Sequence, residues 1–214
     1  MEDTATATRI SVWDPLVRAG HWALVTAFTI AYLTGEEESQ TNEWHEWAGY
    51  AAGAIVVWRV LWGLIGPQHA RFSDFVVWPR TALNYLIDLL GGRSRRYVGH
   101  SPAGGVMIIA LLALMAATVV TGIVADQDGG APKGQATITA PAQFQTGEAQ
   151  TVLPVKGRQG EESLIGEVHG TLANIMLFLL ALHILGVALA SFVHRENLVA
   201  AMVTGKKRPD DASN

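Results

Sequence analysis

Three histidines, His21, His169 and His183, stand in otherwise apolar stretches of this chain, and a fourth, His45, lies two residues ahead of another such stretch. His169 and His183 share the segment EVHGTLANIMLFLLALHILG, fourteen residues apart. An ionisable ring inside a long apolar helix is costly unless something bonds it. At a rise of about 1.5 Å and about 100° per residue, fourteen residues advance about 21 Å and fall about 40° short of four turns. His183 is therefore expected on the face of His169, at a second depth. Imidazoles so placed could bind a metal or simply hydrogen-bond. There is no cysteine, which excludes disulfides, thiolate catalysis, iron–sulfur clusters and covalent haem attachment through C-x-x-C-H.

The elements that must carry these rings are long and greasy. Ala19 to Gly35, Tyr97 to Ala125 and Val168 to His194 contain no Asp, Glu, Lys or Arg, and Trp47 to Ala70 contains only Arg59. Each run is close to or above the roughly 18–20 residues that cross a bilayer as a helix. The expected fold is all-α, an integral membrane four-helix bundle in one domain over residues 1–214. Spans are expected at about 15–35, 43–66, 103–125 and 164–193. Asp14-Pro15 reads as a helix start, with a capping side chain before proline in the first turn, and Gly66-Pro67 as a stop. Between the second and third spans, Ala82, Leu83, Leu86, Leu89 and Leu90 recur at helical spacing, which predicts a short amphipathic surface helix. The Gly-, Pro- and Gln-rich stretch 126–163 reads as an irregular outer loop. The tail 195–214 ends in the polar KKRPDDASN, which reads as disordered. The first 18 residues are too polar for a signal peptide.

Orientation follows from Lys and Arg placement. Two precede the first span, five lie between the second and third, and four follow the last. The opposite side has none in GEEESQTNEWHE and three in the long loop. Eleven against three predicts cytoplasmic N and C termini, with 126–163 outside. The basic residues are dispersed beside the spans and form no nucleic-acid footprint.

With that topology, His45 and His169 fall near the outer surface, and His21 and His183 nearer the inner one. Two facing imidazoles at each of two depths fit two stacked haems b in the core of a four-helix bundle. Gly49 and Gly53 follow His45 on its face, Gly170 adjoins His169, and Gly186 lies three after His183; small residues let a flat macrocycle approach. Arg59, fourteen after His45, shares its face at the inner depth. A haem propionate would pair with it, and its charge would raise the inner potential. His69, His100 and His194 read as interfacial side chains. Trp22, Trp44, Trp47, Trp62 and Trp78 read as an aromatic belt.

The stretches VWDPLVRAGHW, NEWHEWAGY, WRVLWGLIGPQHARFSDF, YVGHSPAGG and EVHGTLANIMLFLLALHILGVALASFVHRENLVAAMVTGKKR resemble the bacterial cytochrome b561 family and the similar b-type cytochrome subunit of nickel–iron hydrogenases. They cover nearly the whole chain apart from the outer loop and the tails. The resemblance implies a four-helix di-haem b cytochrome with His21, His45, His169 and His183 as iron ligands. It implies exchange of electrons with membrane quinone and with a partner redox protein, hydrogenase-like or cytochrome c-like; a homodimer is compatible with it. Under this reading the protein carries electrons across the membrane and is a quinone oxidoreductase or a subunit of one. The contrasting expectation is a histidine-lined transporter or a metal-ion site without haem. That reading wants acidic partners within the spans, and the runs contain none.

Overall fold

The computed structural model describes residues 10–35, 42–129 and 164–208. The elements in chain order are β1 (Ile10–Ser11), α1 (Pro15–Thr34), α2 (Asn42–Ile65), two short 3-10 turns (Gln68–Ala70 and Phe72–Asp74), α3 (Pro79–Leu90), α4 (Pro102–Gly129), α5 (Leu164–Val193), α6 (Leu198–Thr204) and β2 (Lys206–Lys207). Four helices are long and apolar enough to cross a membrane: α1, α2, α4 and α5. Their outward faces carry large apolar side chains such as Leu33, Ile65, Phe178 and Phe192. A hydrocarbon environment accepts such a surface.

Local chemistry fixes the ends. The Asp14 carboxylate accepts hydrogen bonds from the Leu16 and Val17 amides at 2.8 and 3.0 Å, with Pro15 in the first turn. α2 stops at Ile65, just ahead of Gly66-Pro67, because proline cannot extend the ladder. α4 runs to Gly129, four residues beyond the expected end, so residues 126–129 continue the helix. The rest of the expected outer loop, and the last six residues of the tail, lie outside the described residues.

α1 packs on α2, α4 on α5, and α2 on α4, while α5 has only sparse close backbone contact with α1 and α2. Ala27, Ala52, Val56, Met115 and Met176 form the buried core, with Met176 wholly enclosed. Alanines let α1 and α2 approach closely, and Met176, from α5, fills the space left.

α3 packs against α4 through the buried Ala82, Tyr85 and Leu89. Leu83, Leu86, Ile87 and Leu90 remain exposed, so the expected apolar face is split between the bundle and the surroundings. The tail departs from expectation. Lys206 and Lys207 pair antiparallel with Ser11 and Ile10, and the segment before them forms α6, which the Asn197 side chain caps by accepting from the Ala200 amide. Gly205 ends α6 at φ +79°, a left-handed turn that glycine adopts without strain. Polar composition gave way here to partners on the same face of the molecule.

Candidate functional site

His45 of α2 and His169 of α5 lie ring to ring. Their ring centroids are 5.9 Å apart and their planes cross at 83°. His45 Nδ1 donates to the Ala31 carbonyl of α1 at 2.7 Å. His169 Nδ1 donates to the Thr118 carbonyl of α4 at 2.9 Å, with the Thr121 hydroxyl at 3.4 Å. Each ring thus uses one nitrogen on a neighbouring helix and leaves Nε2 for another bond. A metal ligand uses the same division, one nitrogen to the ion and the other to a carbonyl.

Two glycines make room for these rings. A Cβ on Gly122 would stand 2.9 Å from His169 Cε1 and 3.2 Å from its Nδ1. A Cβ on Gly35 would stand 3.2 Å from His45 Nδ1. Sequence reasoning passed over both. The signal available was a glycine inside an apolar run, but nothing in the spacing said which helix it faced.

His21 and His183 form the second level. His183 is close enough to act electrostatically on His21, and His21 Nδ1 is buried with no hydrogen-bond partner among the described residues. Gly20, beside His21, faces Trp58, beside Arg59: a Cβ on Gly20 would lie 2.5 Å from Trp58 Cζ3. α1 and α2 therefore bring His21 and Arg59 to one depth. The apolar core lies between the two histidine levels, since Met176 falls midway between His169 and His183 in α5.

The other sequence candidates separate. Gly49, Gly170 and Gly186 open on space, with nothing within 4 Å of an added Cβ. Gly53 packs against Val119 of α4, whose Cγ1 would lie 2.9 Å from such a Cβ. Arg59 is buried, its guanidinium 4.9 Å over the Phe72 ring. His69 pairs with Asp74 at 3.1 Å. His194 meets the Tyr85 hydroxyl at 3.2 Å. His100 is no open interfacial ring: it is enclosed between Trp13 and Phe75, centroids 4.5 and 4.3 Å away.

The donor set fits a haem better than a bare ion. Two in-line metal–imidazole bonds of about 2.0–2.1 Å, as for a first-row metal such as zinc, put ring centroids roughly 6.3 Å apart, close to the 5.9 Å found. Among the described residues no group of three or more His, Cys, Asp or Glu side chains could hold a metal ion. A pair of imidazoles would suffice for a metal only where a macrocycle supplies the remaining ligands.

The family described as prokaryotic cytochrome b561 matches residues 12–205. No curated protein and no solved structure gives a significant match.

Proposed function

The chain belongs to the prokaryotic cytochrome b561 family, a multi-pass membrane b-type cytochrome of electron transfer, and on that premise we propose that it binds two haems b. His45 and His169 would hold one, and His21 and His183 the other. When bound, a haem so held would supply one-electron exchange. The carrying observation is the His45–His169 pair, both rings oriented by carbonyls of other helices with Nε2 left over.

The chain's own residues do the rest. The Ala31 and Thr118 carbonyls hold the Nδ1 proton of their histidines, fixing tautomer and ring plane. Ala27, Ala52, Val56, Met115 and Met176 keep water out between the two levels. Buried Arg59 adds a positive charge at the His21 level, which favours the less positive state of a redox group there.

In this reading electrons cross between membrane quinol or quinone and a partner redox protein. The membrane is the bacterial inner membrane, with both termini cytoplasmic, the His45–His169 level outer and the His21–His183 level inner. The excess of Lys and Arg on the terminal side supports that orientation.

The test is optical. Purified protein should show reduced-minus-oxidised bands of low-spin haem b, at about two haems per chain. In membranes, added quinol should reduce them. A colourless protein overturns the reading, and haem that quinol never reduces removes the quinone from it.

A further inference from the structure

We propose that Arg59 and His100 form one carboxylate-binding pocket that receives a propionate of the inner haem, with His100 as a positioning residue for it. The inference rests on the reading that His21 and His183 hold that haem.

Arg59 is 8% exposed, and its Nη1 is buried without a hydrogen-bond partner among the described residues. His100 Nδ1 is buried and unpartnered in the same sense. A continuous aromatic wall joins the two. The guanidinium lies over Phe72, Phe72 meets Phe75 edge-on at 5.8 Å, and Phe75 and Trp13 flank His100. Arg59 is close enough for its charge to act on His100.

Leaving a buried charge and a buried ring nitrogen unpaired is expensive. The nearby carboxylates are already engaged: Asp14 caps α1, and Asp74 bonds His69 at 3.1 Å. The missing partner is an acceptor with one negative charge. Burial, and then the Arg59 charge, pull the His100 imidazole down to about 3. The ring is therefore neutral and can donate one N–H without adding charge. One cation and one neutral donor match a carboxylate better than a doubly charged phosphate. Gly20 against Trp58 sets Arg59 at the depth of His21, the ring that would help to hold this haem.

Redox titration of the purified two-haem protein tests this. The inner haem is identified as the one lost in His183→Leu. Arg59→Met should keep both haems and lower the inner midpoint by tenfold or more in its equilibrium, about 59 mV for one electron. His100→Phe, which keeps the ring stack, should lower the same midpoint by less. His100→Gln, which keeps an N–H donor, should restore it. Should Arg59→Met lose the inner haem, the two His100 variants decide. Unchanged midpoints with both haems bound, or a shift confined to the outer haem, overturn the pocket. Wild-type protein that binds no haem fails the underlying reading instead, and fails it before any potential is measured.

Discussion

His45 of α2 and His169 of α5 face each other with ring centroids 5.9 Å apart, although α2 and α5 have only sparse backbone contact. The helices stand apart and the rings reach across. Each ring is steadied by a helix other than its partner's: α1 for His45, α4 for His169. All four spans thus converge on one pair. If the pair holds a haem, His169→Leu should reduce haem content from about two per chain to about one, and His183→Leu should remove the other one. Pyridine haemochrome assay of the single and double variants checks this. Loss of both haems in either single variant would show the levels to be interdependent and refute separate pairs.

Gly122 and Gly35 carry a sharper version of the same expectation. A methyl at Gly122 meets the His169 ring at 2.9 Å, and the ring cannot retreat without lengthening its bond to Thr118. Gly122→Ala should destabilise the fold by on the order of 1–3 kcal/mol through overpacking. It should also weaken retention of the outer haem while sparing the inner one. Thermal unfolding in detergent and haem-to-protein ratio measure the two effects separately.

His21, His169 and His183 were legible because each interrupts a run without Asp, Glu, Lys or Arg, His45 because it stands just ahead of the next apolar run, and helix geometry turns a fourteen-residue interval into two depths. The helix ends were legible at Asp14-Pro15 and Gly66-Pro67, where the chemistry is local. Gly122 and Gly35 were not, because their purpose is a ring on another helix. The enclosure of His100 by Trp13 and Phe75 joins residues far apart in sequence, and no periodicity encodes that. α6 did carry local signals, an Asn cap and a following glycine, which the polar tail beyond them obscured.

Glu196 illustrates the same limit and yields a pH prediction. Its buried carboxylate accepts from Arg96 at 3.1 and 3.3 Å and from the Arg208 amide at 3.1 Å, with Lys207 Nζ at 3.7 Å. Arg96 also donates to the Arg208 carbonyl at 2.6 Å, and Lys207 to the Tyr97 carbonyl at 2.9 Å. Burial alone would raise the carboxyl, but these hydrogen bonds and charges hold it below the ordinary range. A lowered folded-state value means the contribution is complete above the unfolded glutamate range and is lost as pH falls through the folded value. Thermal stability should therefore drop on acidification below about pH 4.5. Glu196→Gln should lose on the order of 1–3 kcal/mol at neutral pH and flatten that drop. Unfolding curves from pH 7 to pH 3 check both.

Met176 is fully enclosed between the two histidine levels. Met176→Ala would leave a cavity among Ala27, Ala52, Val56 and Met115. The expected loss is about 2–5 kcal/mol, with both haems still bound. Met176→Leu, which conserves volume, should lose less than about 1.5 kcal/mol. A fall in Tm for the alanine variant at unchanged haem content is the expected signature. Loss of haem from both levels would mean that Met176 supports the ligand rings themselves.

The chain has no cysteine, so its orientation can be read with single introduced thiols. Arg95 lies between α3 and α4, at the end of the bundle that carries β1, β2 and α6. In sequence, Ser39 lies between α1 and α2. Five Lys and Arg residues in the 66–102 segment, against none in GEEESQTNEWHE, favour a cytoplasmic Arg95 and an external Ser39. In intact spheroplasts a membrane-impermeant maleimide should label Ser39→Cys and spare Arg95→Cys. After lysis both should react. The reverse pattern would invert the bundle and move the Arg59–His100 pocket, with the haem it is proposed to hold, to the outer face.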